Sequence, residues 1–537
     1  METYYQTSSP SPILFLLGSL LLFLIINYKL RRPADGAAAA KQGKAASPSL
    51  PPGPWKLPLI GNLHQVIISG SLPHHFFRDA AAKFGDIFHL RLGQVSAVIV
   101  TSPAAAAQVF KVHEPSLLTR PFCLAVDVLT PTGLFATNYG AYWRQMRRIC
   151  AAELLSPRRV QSLSWAREQT AWEMVDSISS SAKKTNPVNL SEMIFAVTNN
   201  TTSLAAFGRK CGDSEEFVRL LKRAVVLSGG FELPDLFPTL KFLRWKGLSW
   251  ARAELERIKL KFDMILGEII EEHKIKKSKN FTKEEDLVDV LLKIQEDGNL
   301  DVQITTRDIK SIILIMLIVL VKVKISQDML GAGSDTSSTT LEWAMSELLK
   351  NPEAMTKAQS EVREALRSKP TGHRVNESDI KGLTYLTLVV KETLRLHPPA
   401  PLVPKEATED FVINNDEKGE FFIPKGAKTV VNVWAIGRDA RYWLEPERFL
   451  PERFLDGCVN YTGGNFEYIP FGGGRRMCPA IPFAVANIEV PLAMLLYHFD
   501  WKLGDGRNPE EVDMIESFGA SVRRKNDLIL LPIIHES

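Results

Sequence analysis

Cysteine is scarce: the chain holds five, Cys123, Cys150, Cys211, Cys458 and Cys478, in 537 residues. Odd in number and widely spaced, they argue against a disulfide scaffold and a multi-cysteine zinc site, and fit a reducing compartment. An excess of one charge is also missing, since 65 Lys plus Arg stand against 61 Asp plus Glu, a net charge of +4. That excludes a broad polybasic surface for nucleic acid, though not a local basic patch. No Gly-x-Gly-x-x-Gly follows a strand-like run, so no flavin or nicotinamide domain is expected. What is present is a globular balance, 45% hydrophobic and 23% charged, with ample chain for a large core.

One long apolar run stands out, the uncharged stretch Ile13 to Ile26. Extended through Asn27 and Tyr28, it approaches the minimum for a spanning helix. Lys29, Arg31 and Arg32 follow it, and no Lys or Arg precedes it. A cleaved signal peptide needs the reverse order, basic residues first and small ones after. Residues 13–30 are therefore expected to be a single transmembrane anchor, with residues 1–12 lumenal and the body cytosolic. Residues 31–54 read as a linker ending in the stiff Leu50-Pro51-Pro52-Gly53-Pro54 hinge. The run Ile312 to Val321 is too short for a second span, and Lys322 and Lys324 follow it.

The rest, residues 55–537, reads as one domain, mainly α with small β-sheets. Phe88 to Val100 alternates around Gly93 and predicts a hairpin. Helical patterns cover Pro103–Val112, Trp165–Ser181, Leu255–Lys277, Leu341–Leu349 and Pro352–Arg367. Short strands are expected near Phe411–Ile413 and Phe421–Ile423.

The most specific stretch is Phe471-Gly472-Gly473-Gly474-Arg475-Arg476-Met477-Cys478-Pro479-Ala480. Three glycines mean a tight turn or a close approach. A lone cysteine near arginines and the start of an apolar helix has its thiolate favoured. A single thiolate without a second Cys or His suits haem, which supplies four nitrogens itself, better than zinc. A glycine loop with an incidental buried cysteine is the plainer alternative.

Phe471, Gly474, Arg476 and Cys478 together match Phe-x-x-Gly-x-Arg-x-Cys, which resembles the haem-binding signature of cytochrome P450 enzymes. The resemblance extends over nearly the whole chain after the hinge. It implies the cytochrome P450 fold and haem b, with Cys478 as axial iron ligand and Arg476 paired to a propionate. Ala480 departs from the family, which often has Gly there.

Glu392-Thr393-Leu394-Arg395 puts an acid and a base on one helix face, by itself most often a solvated pair. In the family such a pair joins an arginine from a Pro-Glu-Arg-Phe segment. Both Pro446-Glu447-Arg448-Phe449 and Pro451-Glu452-Arg453-Phe454 fit the letters, and Arg453 sits at the usual place. Glu392, Arg395 and Arg453 are thus expected to form a buried structural network. Trp143 and Arg147 share a helix face. The resemblance has them hold haem propionates, with Arg144 and Arg148 facing outward; a basic amphipathic helix is the alternative.

Ala332-Gly333-Ser334-Asp335-Thr336 resembles the family's oxygen-activation segment in its long central helix. There Gly333 weakens the helix, Thr336 steers protons to bound dioxygen and Asp335 feeds the relay. Thiolate donation favours O–O cleavage. Out of context, Gly-Ser-Asp-Thr is more often a turn or a cap.

One segment departs from the family. Sequences of this type run from Ile-Lys-x-x-Ile-Leu, here Ile309 to Leu314, almost directly to Asp-x-x-x-Ala-Gly, here Asp328 to Gly333. Between them lie residues 315–327, IMLIVLVKVKISQ. Thirteen extra helical residues would add about 20 Å and turn the phase by roughly 220°. The β-branched run also favours strand. The segment is read as a retained in-frame intron or a gene-model error.

The hinge, Pro54-Trp55-Lys56-Leu57-Pro58-Leu59-Ile60-Gly61-Asn62 and Asp335-Thr336-Ser337-Ser338-Thr339-Thr340 resemble the plant microsomal branch, and within it enzymes oxidising sesquiterpenes and diterpenes. The resemblance implies an NADPH- and O2-dependent monooxygenase in the endoplasmic reticulum membrane. Its electron donor would be NADPH-cytochrome P450 reductase, with cytochrome b5 as a second candidate, docked on Arg144, Arg148 and Arg475. A lipophilic substrate would meet Phe122 to Phe135, Phe231 to Phe237, Ala332, Leu402 to Val403 and Ala520. Two alternatives remain, a haem-thiolate isomerase or dehydratase, and a non-catalytic haem protein disabled by residues 315–327.

Overall fold

The computed structural model describes residues 48–130, 132–134, 137–210, 233–244, 249–278, 285–298, 303–318, 335–370, 373–415, 418–504, 506–517 and 521–535. The expected anchor and most of the linker lie outside them, as do Ala332, Gly333 and Ala520.

Alternation around Gly93 produces the hairpin β1 (Ile87–Leu92) and β2 (Val95–Val100). Gly93 turns with φ +63°, a conformation that favours glycine. Two distant segments complete this sheet: β4 (Leu402–Glu406) and β7 (Lys428–Asn432), in the order β1-β2-β7-β4, with β2 and β7 parallel. β5 (Phe411–Asn415) pairs with β6 (Gly419–Ile423). β3 (Val188–Asn189), β11 (Ile529–Ile534) and β8 (Phe499–Leu503) form a third sheet, and β9 (Glu516–Ser517) pairs with β10 (Arg523–Arg524).

The Pro-rich hinge is docked rather than free. His89 N–H donates to Pro52 O at 2.8 Å, and a Cβ on Gly53 would sit 2.0 Å from His89 O. The chain therefore enters the body along β1.

Helices make up most of the remainder. They are α1 (Leu63–Ile68), α2 (Pro73–Phe84), α3 (Ala141–Ile149), α4 (Ser164–Ala182), α5 (Leu190–Phe207), α6 (Trp250–Ser278) and α7 (Leu287–Asp297). Then come α8 (Thr306–Ile318), α9 (Asp335–Lys350), α10 (Pro352–Leu366), α11 (Thr384–Leu396), α12 (Val433–Ile436) and α13 (Ile481–His498), with shorter turns between. Their starts reflect local chemistry. Pro352 opens α10 after Asn351, and at the start of α8 Thr305 N–H and Oγ1 both donate to Asp308, at 2.9 and 2.6 Å.

α4, α5, α9, α11 and α13 pack into one helical core. α13 is long and apolar enough to cross a membrane, but Leu492 to Leu496 are fully buried among the other helices, so it serves as a core helix. α5 carries both halves of the central-helix sequence. Ile309, Ile312 and Ile313 of α8 share a buried cluster with Ala205, Ala206 and Phe207 at one end of α5. Leu341, Ala344, Met345 and Leu348 of α9 share another with Leu190, Ile194 and Val197 at the other end.

Candidate active site

The glycine loop lies just before α13. Gly472 and Gly474 adopt φ of +74° and +69°. A Cβ on Gly473 would press on the Phe110 ring at 3.0 Å, and one on Gly474 would clash with Glu114 and Phe110 O. Gly473 is thus required by close approach, and Gly474 by close approach and conformation together. Cys478 N–H donates to Phe471 O at 3.1 Å and closes the loop.

Cys478 is half-buried. Burial pushes its thiol up, while the Ala480 N–H and Arg147 pull it down. Of the arginines near Cys478, neither sequence neighbour, Arg475 or Arg476, is the one that acts on it. The arginine that acts on Cys478 is Arg147 of α3, and burial outweighs it. Arg475 instead meets Glu114 at 3.4 Å. Arg476 donates to Thr137 O and lies over the Trp143 ring at 5.0 Å. A metal cation at the sulfur would supply the charge that the protein leaves short.

A cationic cradle lies beside the loop. Lys405 of β4 is 1% exposed, its Nζ has no hydrogen-bond partner, and it rests 4.9 Å over Phe110. Burial, then the charges of Arg120 and Arg476, lower its pKa to about 7 against a pull from Glu114. Burial and Arg476 lower Arg120 to about 10, and burial lowers Arg476 to about 10. Arg120 is anchored by donating to Pro404 O at 2.7 Å. A buried lysine with two half-buried arginines beside it is unfavourable unless an anion joins them. The two propionates of a haem held at Cys478 meet that requirement, so the residues present fit the cofactor.

Arg120 and Lys405 escaped the sequence reading. Nothing in the sequence marks them beyond the apolar Leu402 and Val403 before Lys405 and the proline after Arg120. Trp143 and Arg147 do come to the site. Trp143 is buried with its indole donating to Leu134 O at 3.0 Å, and Arg147 is half-buried near Cys478 and Cys150. Arg144 and Arg148 are exposed.

Behind the loop stands a closed ionic network. Arg395 donates to both Glu392 oxygens, at 2.7 and 2.8 Å, and Arg453 donates to Glu392 at 2.9 Å. Arg395 also reaches Gly437 O and Pro446 O at 2.6 and 2.7 Å. Glu392 and Arg395 are fully buried. Arg448, the rival of Arg453, turns its side chain outward to Glu445 at 3.1 Å.

On the other side, α9 begins at Asp335, with Thr336 next and partly buried. Thr340 Oγ1 donates to Thr336 O at 2.8 Å. α8 is tied to the start of α3 through Tyr142 OH, which donates to Asp308 at 2.8 Å. Phe122, Cys123 and Leu134 pack on the cluster that includes α6 and α8 residues, and Asp235 accepts from Leu124 N–H at 2.8 Å. Two segments expected to line a pocket are thereby joined.

Residues 51–531 match the cytochrome P450 family. The chain is 44% identical over 524 residues to premnaspirodiene oxygenase of Hyoscyamus muticus, covering 96% of this chain and 98% of that one. It is 46% identical over 495 residues to desmethyl-deoxy-podophyllotoxin synthase of Sinopodophyllum hexandrum, 91% and 92% covered. With 5-epiaristolochene 1,3-dihydroxylase of Nicotiana tabacum it shares 42% over 523 residues, 96% and 97% covered. The chain therefore belongs to the cytochrome P450 family, monooxygenases that carry haem on a cysteine thiolate.

Proposed function

We propose that this protein hydroxylates a terpenoid, a sesquiterpene or diterpene, using haem b held by Cys478. The observation that carries the haem assignment is the cationic cradle of buried Lys405 with half-buried Arg120 and Arg476 next to the cysteine loop. The substrate class rests on relatives whose names denote a premnaspirodiene oxygenase and a 5-epiaristolochene dihydroxylase.

Bound haem supplies the iron at which dioxygen is reduced and one of its atoms is inserted into a C–H bond. The chain's own residues do the rest. Arg120, Lys405, Arg476, Trp143 and Arg147 hold and orient the cofactor. Glu392, Arg395 and Arg453 lock the loop's surroundings. Asp335 and Thr336 would pass protons toward the distal face, next to the Ala332-Gly333 pair in sequence. Exposed Arg144, Arg148 and Arg475 form the dock for NADPH-cytochrome P450 reductase, with cytochrome b5 as a second donor.

Residues 13–30 anchor the chain in the endoplasmic reticulum membrane, body cytosolic. Support comes from an exposed apolar surface near the point of entry, including Trp55, Leu59, Ile67 and Ile68, of which Ile68 is 80% exposed. The β1–β2 turn clamps this region to the segment bearing Leu240 and Phe242: Gly93 N–H donates to Ile60 O at 3.1 Å and Gln94 N–H to Leu236 O at 2.9 Å.

One unbroken helix joining α8 to α9 does not fit the length of α5. The contact ends of α8 and α9, Ile313 and Leu341, are 28 positions apart in sequence. As one helix that is about 42 Å, whereas the whole of α5, which both halves line, is about 27 Å long. Without thirteen residues the same interval is about 22 Å, which fits. A transcript lacking those codons, or a looped-out segment, satisfies that spacing.

The test is microsomes bearing the chain, with and without residues 315–327, supplied with reductase, NADPH and a terpene panel. NADPH-dependent hydroxylated product supports the proposal. Turnover of a hydroperoxide without NADPH selects the isomerase reading. Haem binding with no turnover in either form selects the non-catalytic one.

A further inference from the structure

We propose that His74, His75 and Glu516 bind a divalent transition-metal ion, with His397 as the fourth donor. The site uses none of the residues around Cys478. One ligand atom from each of His74, His75 and Glu516 lies within 4.8 Å of the other two. Glu516 Oε2 is 2.8 Å from His74 Nε2 and 2.9 Å from His75 Nε2. The first contact is a hydrogen bond, but His75 Nε2 is buried and has no hydrogen-bond partner despite its closeness.

His397 is the second observation. It is only 7% exposed, and its Nε2 is bonded to Glu347 at 2.7 Å. Its Nδ1 faces Glu516 Oε1 at 4.0 Å, buried and with no hydrogen-bond partner. His397 Nδ1 thus faces the carboxylate without bonding to it, while His75 Nε2 meets it in a close ion-pair contact. Buried polar atoms in that state are costly, and a cation among them gives each lone pair a partner.

The donor set selects the ion. Three imidazoles and a carboxylate, four ligands in all, suit zinc. Outer partners are in place: Trp434 Nε1 donates to Glu516 Oε1 at 3.2 Å, and Glu347 orients His397. Arg438, the nearer of two arginines over Trp434, is itself paired with Glu447 at 3.0 Å. The His75 side chain is 31% exposed, which gives an ion its way in.

Such an ion would cross-link α2, the end of α11 and β9, which lie far apart in sequence; His74 and Glu516 are 442 positions apart. It would act on stability, not on the monooxygenase chemistry.

The experiment uses the full haem-loaded chain, purified with a tag free of histidine and dialysed against EDTA. Zinc sulfate or cobalt chloride alone is then added, and metal content, haem content and Tm are measured together. The expected result is one zinc per chain besides the haem iron, a higher Tm, and a tetrahedral-type cobalt spectrum. His75→Ala should weaken zinc binding at least tenfold with haem retained, and Glu516→Gln should do the same. If Glu516→Gln fails to fold, His75→Ala alone decides. No zinc uptake and no change in Tm would overturn the proposal, leaving a hydrogen-bonded cluster. Equal uptake by wild type and His75→Ala would mean an adventitious ion only, and would overturn it too.

Discussion

The two faces of the candidate haem site are built differently. On the cysteine side, Glu392 receives four hydrogen bonds, two from Arg395, one from Arg453 and one from Leu450 N–H, so position is fixed through space by residues from two segments. On the distal side, Asp335 and Thr336 depend on where α9 starts, and that in turn depends on how many residues separate it from α8. A network of cross-links tolerates drift in the intervening chain. A helix does not, because each added residue rotates every later side chain by about 100°. An insertion that leaves the cysteine side intact can therefore displace the distal side.

Four changes put that contrast to the test. The largest effect is expected from Cys478→Ala, which should abolish the thiolate-type carbon-monoxide difference spectrum and all turnover. Next is Glu392→Gln, which leaves Arg395 and Arg453 buried without their carboxylate and should cost about 3–5 kcal/mol. Urea unfolding would read it, with Arg448→Ala, an exposed arginine, changing stability by less than about 1 kcal/mol. Removing residues 315–327 should then raise turnover about tenfold or more without changing haem content, measured as product per haem. Equal turnover would show that the distal side already accommodates the segment.

The smallest effect is on pH dependence. Lys405 titrates at about 7 in the fold against an ordinary 10.5, so between those values the unfolded chain holds more protons. Apoprotein stability should rise with pH across that window, reach its full value above 10.5 and be lost as pH falls through 7. Lys405→Met should flatten the slope. Haem-loaded wild type should show little slope, because propionates keep the amine charged. Thermal melts of the apo and haem-loaded forms at several pH values would check this.

Legibility in the sequence tracked the range of the interactions. The β1–β2 hairpin and the starts of α8 and α10 rest on residues close together, and periodicity and capping chemistry exposed them. The choice of Arg453 over Arg448 came from the resemblance, since both lie in the same four letters and only the fold separates a buried arginine from an exposed one. Arg120 and Lys405 were invisible because a lone cation in a strand looks like an outward-facing residue until its burial is known. The arginine acting on Cys478 was hidden for a related reason: sequence places Arg475 and Arg476 beside it, while the fold brings Arg147 from α3. The His74, His75, His397 and Glu516 cluster joins opposite ends of the chain, and no local pattern marks it.

The most direct test is the reduced carbon-monoxide difference spectrum of the purified full-length chain after haem supply, with iron and haem measured on the same sample. One haem per chain with a thiolate-type Soret band is the predicted result. A colourless protein, or a haem ligated by nitrogen instead of sulfur, would contradict the assignment of Cys478.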